Sequence, residues 1–567
     1  MTVLPRMDQS TRERVLRAGA AAAVLGTVAV LLLAWLGIYL ADPVSLPPGP
    51  DVSWYVWRAE LLMAHPPQTL VEFEGPLGAF GGGYRVANPI LLALLQGLGG
   101  VDRYQASFLI TAGWSLLAAL AVGGVAYRLW KTPSAFVVVA LAAGGMFFRN
   151  VFLGFADNML ALLTVTAALL FLTPARHQKP ARVALFVLVL ASFFAHPPVA
   201  AVFSAAVLGS LALPAVLRLR AREGIRDDVP IALSVLGGAA AAFFCWGLGV
   251  WGPGRSFADA VNVPPFRLQD FLESAGRWVG FMDPVVLVPL LVVGLASCVL
   301  AWRRSRRDPL PRTVVLWLLP VLGTLGYVLG LRLPYHRFLG ITLAPVLLAG
   351  LGLWTLAARP LGLAGRRRLR PLALLGSAIA IAVLVSQWYQ AVWTYTRQTG
   401  WLPLELRPAL AAVSAYLEES QLTEGPVVYV VPAGHRQTGE IIYARIWRGR
   451  WSRVRAGLPG EVIPDAYMYL GNARDFLRGG PAATGNPTFD RLSEASYREM
   501  VRGLRGRAPV AFEVRVRNEP SVGPPVPPTQ DAVFLDGNAW LLRGPRLVST
   551  SPSAVAAARA AAAEARA

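Results

Sequence analysis

The stretch "VANPILLALLQGLGG", residues 86–100, decides how this chain is threaded. It is apolar, yet it falls short of the about 20 residues that a helix needs to cross a bilayer core of about 30 Å. If it crosses, the basic runs "ARHQKPAR" (175–182), "RLRAREGIR" (218–226), "RRSRR" (303–307) and "RRRLR" (366–370) all fall outside the cell. If it does not, all four fall inside, where the positive-inside bias puts Arg and Lys. The second threading also brings "YRLWK" (127–131) into the cytoplasm. The stretch is therefore read as an interfacial or re-entrant helix.

Working outward, apolar runs near 16–41, 105–128, 134–149, 158–173, 183–195, 198–216, 230–251, 284–302, 313–331, 340–358 and 372–395 become the spans. The expected fold is mainly α: a polytopic transmembrane bundle of about eleven spans, with the N-terminus in the cytoplasm and the C-terminus outside the plasma membrane. Composition agrees, since 55% of the 567 residues are hydrophobic and 15% charged, more apolar surface than a soluble fold can hide. The net charge of +20 lies mostly in short loops between apolar runs, which argues against nucleic acid as a partner. Arg6, Arg12, Arg14 and Arg17 precede an apolar run without a clear small-residue cleavage site, so the first helix is read as retained. Cys245 and Cys298 fall in spans running in opposite directions, and no disulfide framework is expected from them.

Two boundaries carry further weight. Residues 183–216 would make one overlong helix but for "HPP" at 196–198, where consecutive prolines remove backbone donors and disfavour helix before them, so a tight outside hairpin is expected, with a kinked, protein-buried pair as the alternative because its halves are short for a bilayer. Beyond residue 395 the pattern changes: "GPVVYVVPAG" (425–434) and "APVAFEVRVR" (508–517) read as strands, and "RPALAAVSAYLEES" (407–420) as an amphipathic helix. An extracytoplasmic α/β domain is expected over 396–552, containing the Pro-rich loop "NEPSVGPPVPPTQ" (518–530) and followed by an Ala-rich tail at 553–567, read as a frayed helix or disorder. Residues 1–395 form the membrane core, with 42–104 as a first outside loop bearing interfacial helices.

This threading gathers polar residues on the outer face. Asp51, Glu72 and Glu74 lie in the first outside loop, and Arg149 and Asp157 flank the turn between the third and fourth spans. His196 sits at the hairpin tip, and Arg332, His336 and Arg337 lie between the ninth and tenth spans. Ionisable groups at membrane depth are costly unless they face a cavity or a partner, so their convergence points to a site. The cations suit a phosphate, and the carboxylates suit a general base or a metal. Each has a plainer alternative. Asp51, after "PPGP" and before "SWYVW", and Asp157 in "GFADNML" are both placed to cap helices. His196 can close a proline turn, the three basic residues of "RLPYHRFLG" can anchor helix ends by snorkelling, and Glu72 and Glu74 can be solvated loop acids. The aromatic residues after Asp51 suit a helix at headgroup depth, which would hold that carboxylate at the membrane surface.

In their order these features resemble the GT-C glycosyltransferases, membrane enzymes that take sugars from polyprenyl-phosphate carriers. The resemblance covers about residues 15–358. It lies in "DVSWYVWRAELL" (51–62), "YRVANPILLALLQGLGG" (84–100), "ASFLITAGWSLLAALAVGGVAYRLW" (106–130), "GFADNMLALLTVTAALLFL" (154–172) and "LPYHRFLGITLAPVLLAGLGL" (333–353). It implies that Asp51 is the general base for an acceptor hydroxyl and that Asp157 is a second acid, orienting the acceptor or binding a metal. On the reading of the charges above, Arg149, His196, Arg332, His336 and Arg337 would bind the lipid phosphate, the last two lying in the stretch that resembles the family's lipid-phosphate contacts, and Glu72 and Glu74 would meet the acceptor or a metal. The partners implied are a polyprenyl-phosphate sugar donor, a glycan, lipid or protein acceptor, and membrane lipids. No nucleotide cofactor is expected. A divalent cation such as Mg or Mn is left open, because the first loop lacks a paired Asp-x-Asp or Asp-Glu; as a separate departure, "NPI" stands where Pro-Pro is often found before the short loop helix. The layout is similar to that of actinobacterial arabinofuranosyl- and mannosyltransferases and of protein O-mannosyltransferase-like enzymes.

Two other classes compete with the transferase. A transporter or flippase of a lipid-linked glycan also uses charge in a cavity, but it commonly shows two pseudo-symmetric halves with matching helix breaks, and "HPP" is the single break evident. A non-catalytic cell-envelope assembly subunit needs no such convergence of polar groups.

Overall fold

The computed structural model describes residues 87–99, 103–153, 156–217, 227–248, 284–305, 308–317, 343–363, 381–389, 406–420, 426–431, 466–481, 487–514, 532–536 and 539–564, with scattered helical positions at 21–35, 55, 59, 63 and 371–379. Its first part is helical: α1 (Ala87–Gly99), α2 (Arg103–Trp130), α3 (Pro133–Leu153), α4 (Ala156–Ala175), α5 (Lys179–Ala195), α6 (Pro197–Leu217), α7 (Val229–Gly247), α8 (Pro284–Arg304), α9 (Pro309–Leu316) and α10 (Leu343–Leu363). Prolines begin several of them, at N-terminal positions where the missing N–H has no intrahelical partner to lose. Among the described residues, Ala106–Trp130, Ala156–Ala175 and Val286–Arg304 are long and apolar enough to cross a membrane. Large apolar side chains stand exposed along helices, among them Leu233, Phe244 and Val292, each more than 60% accessible. Faces of that kind mark contact with lipid or with a partner.

The helix α1 has 13 residues. At 1.5 Å per residue it is about 20 Å long, about 10 Å less than a hydrocarbon core. It packs against α2, α4 and α5, as a short helix laid on the bundle does. The expected break at "HPP" falls at His196, between α5 and α6.

Small residues let the helices approach. Ala118, Ala119 and Val122 of α2 and Ala135, Val139 and Ala142 of α3 are fully buried, and the two helices pack along their length. The helices α8 and α10 come closer still. A Cβ on Gly294 would stand 1.9 Å from the Leu348 carbonyl oxygen, and one on Gly352 would stand 2.2 Å from that of Leu290. Only glycine permits this approach at either position.

The second part begins with α11 (Leu406–Glu419) and holds a five-stranded sheet in the order β2-β1-β3-β5-β4: β1 (Val427–Val431), β2 (Ala466–Leu470), β3 (Val510–Val514), β4 (Ala532–Asp536) and β5 (Ala539–Leu542). The strand β1 is parallel to both β2 and β3, and β5 runs antiparallel to β3 and β4. Alternation gives the sheet two apolar faces. Val428, Val430, Tyr469 and Ala511 pack with Phe476 of α12 (Ala473–Arg478) and Met500 of α13 (Pro487–Leu504). Tyr429 and Phe512 face the other way, with the Tyr416 ring of α11 edge-on to Phe512 at 5.6 Å. The Tyr469 hydroxyl donates to the Gly480 carbonyl at 2.7 Å. Burial, and after it the charge of Asp475, pushes this phenol above its ordinary value of 10.0.

This part differs from the sequence reading in its strands and in its tail: β2, β4 and β5 were not expected. Of the two readings of the Ala-rich tail, a frayed helix or disorder, the described residues form the helix: α14 (Pro552–Glu564) packs against α11 and buries Ala554, Val555, Ala558 and Ala562. Alanine has the best helix propensity, and its small side chain lets this face sit close to α11.

Candidate functional site

The α2–α3 link at Lys131–Thr132 and the α4–α5 link at Arg176–Gln178 lie at one end of the bundle, so the helix ends at Leu153, Ala156 and Ala195 meet at the other. The second end holds Asp157. This residue is the second of α4 and has no exposed surface. A carboxylate in the first turn is favoured by the free amides and positive end of the helix. Here its side chain also reaches across the bundle, and its Oδ1 accepts a hydrogen bond of 2.5 Å from Nδ2 of Asn88. Asn88 belongs to the first turn of α1 and is 2% exposed. Its Oδ1 in turn accepts a bond of 3.0 Å from Nε1 of Trp114 on α2. Asp157, Asn88 and Trp114 thus join three helices through side-chain atoms. Beside them Asn158 is 8% exposed, and its buried Oδ1 has no hydrogen-bond partner among the described residues.

An apolar contact brings the first loop to the same place. Tyr55 and Ala59, both buried, cluster with Leu92 of α1, Ala106 of α2 and Ala156, the neighbour of Asp157. Tyr55 stands four residues after Asp51. Asp51 itself, with Glu72, Glu74, Arg332, His336 and Arg337, lies outside the described residues. Arg149 belongs to the last part of α3, at this same end.

His196 joins two helices with its backbone. Extended at φ −156° and ψ 92°, it donates its N–H to the Ser192 carbonyl at 2.8 Å and accepts from the amides of Val199 and Ala200 at 3.0 and 3.2 Å. It closes α5 and opens α6 at once. Only 2% of it is exposed, so the hairpin tip does not display this ring to solvent. Burial favours the structural role that the proline turn suggested.

The opposite end is polar in another way. Arg176 pairs with Asp228, and the buried Arg312 of α9 stands 4.0 Å from the second Asp228 oxygen. Asp308 accepts from Thr173 at 2.7 Å and caps α9 by accepting from the Leu310 amide at 3.1 Å. These contacts tie the loops of the α4–α5, α6–α7 and α8–α9 connections to one another.

Asp157 is therefore the sequence-derived acid that the structure surrounds with polar partners, while Asn88 and Trp114 were missed. The available signal was the "NPI" that stands where Pro-Pro is often found, which by itself reads only as a departure from the family pattern. Among the described residues no group of three His, Cys, Asp or Glu side chains is close enough to hold a metal ion. A cation held by Asp157 would need further ligands from outside the described residues.

No protein-family model matches the chain. No curated protein matches it. Among solved structures it is similar to the crystal structure of ArnT from Cupriavidus metallidurans bound to undecaprenyl phosphate, at 14% identity and a TM-score of 0.48, over 93% of this chain and 99% of that one. A likeness of that degree carries neither fold nor function.

Proposed function

We propose that this chain is a GT-C-like membrane glycosyltransferase that moves a sugar from a polyprenyl-phosphate donor to a glycan, lipid or protein acceptor on the outer face of the plasma membrane. One observation carries the reading: the buried Asp157, the start of α1 and the first-loop residues Tyr55 and Ala59 share one end of a bundle of apolar helices. A donor with a lipid tail has to be met at such an end, because its tail stays in the bilayer and its headgroup stands at the surface. In this orientation the N-terminus is cytoplasmic and the sheet of the second part is extracytoplasmic.

The chemistry follows from the charges. The acceptor oxygen attacks the anomeric carbon as the bond from that carbon to the phosphate oxygen breaks, and the configuration inverts. Asp51 takes the acceptor proton, as a general base must from within hydrogen-bond reach. Arg149, Arg332, His336 and Arg337 receive the charge that grows on the leaving phosphate, where fixed cations lower the barrier most. Asp157 is buried, which suits it to organising this end more than to meeting the acceptor directly. With Glu72 and Glu74 it has the oxygen donors a divalent cation prefers.

The test uses membranes containing the full chain and labelled polyprenyl-phosphate sugars of the hexose and pentose classes. Label should pass to an acceptor with the native protein and not with Asp51→Asn expressed at the same level. Unimpaired transfer by that variant removes Asp51 from the mechanism. Labelling of residues 42–85 from the cytosolic side overturns the orientation, and movement of intact lipid-linked glycan without transfer makes the protein a transporter.

A further inference from the structure

Asn88 has two hydrogen-bond partners of opposite kind, and this fixes its direction. The indole N–H of Trp114 can only donate, so the Asn88 atom 3.0 Å from it is the amide oxygen. The amide NH2 then points to Asp157 Oδ1, at 2.5 Å, and meets it as a donor that requires an acceptor. Reversing the amide would set two donors face to face at Trp114 and two acceptors face to face at Asp157. All three groups are largely removed from water: Asp157 is 0% and Asn88 2% exposed, and Trp114 is partly buried against the core. In such surroundings a broken polar contact is not replaced by solvent.

We infer that Asn88 is a positioning residue: its amide, oriented by Trp114, holds the Asp157 carboxylate in one direction and fastens α1 to the end of α4. This rests on the glycosyltransferase reading for its effect on turnover, but not for the hydrogen-bond relay itself. The first loop leads directly into α1, so the fastening also sets where that loop returns to the bundle. An ordinary helix cap at Asp157 would need none of this, since the amides that a cap satisfies belong to α4 itself.

An exchange of the two side chains tests the inference. Asn88→Asp alone sets two carboxylates against each other and should lower the unfolding temperature of the full chain in detergent by several degrees. Asn88→Asp with Asp157→Asn restores one donor between the pair and leaves Trp114 an acceptor, so the unfolding temperature should return to near the native value. Transfer should stay lost in that double variant, because the carboxylate has moved from α4 to α1. Trp114→Phe frees the amide to turn and should lower kcat by about tenfold with KM within about twofold, the pattern of lost orientation and not of lost binding.

An unfolding temperature unchanged in Asn88→Asp, or not recovered in the exchange, overturns the relay. Transfer restored by the exchange overturns the positioning role, since a purely structural network would then suffice. If the native protein transfers no sugar while the stability pattern appears as expected, the relay stands and the glycosyltransferase reading fails.

Discussion

The two ends of the helical bundle both bury polar side chains, and they do it by different means. At the end of the basic loops, charge is set against charge: Arg176 and Arg312 against Asp228, with Asp308 capping α9 and holding Thr173. At the other end a carboxylate is held by an amide, and the amide by an indole. Ion pairs join loops but fix little about direction, since each partner tolerates a range of approach. A relay of donors and acceptors fixes the orientation of every member. The first arrangement suits a fastening, and the second suits the site proposed above.

Substitution at each end can break or sharpen that contrast. The largest effect is expected from Asp157→Asn, which keeps an acceptor for Asn88 and removes the charge. Transfer should fall roughly a thousandfold, about 4 kcal/mol in the barrier, with thermal unfolding little changed. An active variant would make the two ends equivalent. Next is Arg312→Ala, which strips a buried cation from Asp228 and should cost about 3 kcal/mol of stability, read from thermal unfolding in detergent, with transfer per folded molecule unaltered. Asp308→Ala removes a helix cap and the Thr173 contact and should cost about 1 kcal/mol in the same assay. The smallest effect has the opposite sign. Lys131 follows α2 at φ 54°, in the left-handed region, with its N–H bonded to the Tyr127 carbonyl. Lys131→Gly should relieve that conformation and raise stability by up to about 1 kcal/mol. A loss there would mean that the lysine side chain holds the turn.

Much of the helical part was legible because its signals are local. Apolar runs set α2 to α8 and α10 within a few residues, and "HPP" placed the break at His196 where proline forbids a helix to continue. The strands at 427–431 and 510–514 and the helix at 406–419 were legible in the same way. The strands at 466–470, 532–536 and 539–542 were not. Each is at most five residues long, and β2 and β5 take partners, β1 and β3, that are distant in sequence. The packing of the tail was not legible, because an Ala-rich segment carries little apolar pattern and its buried face is set by α11 and β4.

The site divides along the same line. The sequence by itself determined that the chain is mainly helical and apolar, where its helices break, and that Asp157 begins one of them, since hydrophobic runs and proline act on the chain within a turn or two. Only the tertiary structure decided that Asn88, 69 positions before Asp157, is its partner, and that Trp114 sets the direction of the amide. A hydrogen bond depends on distance and angle in space, and no spacing along the chain encodes them.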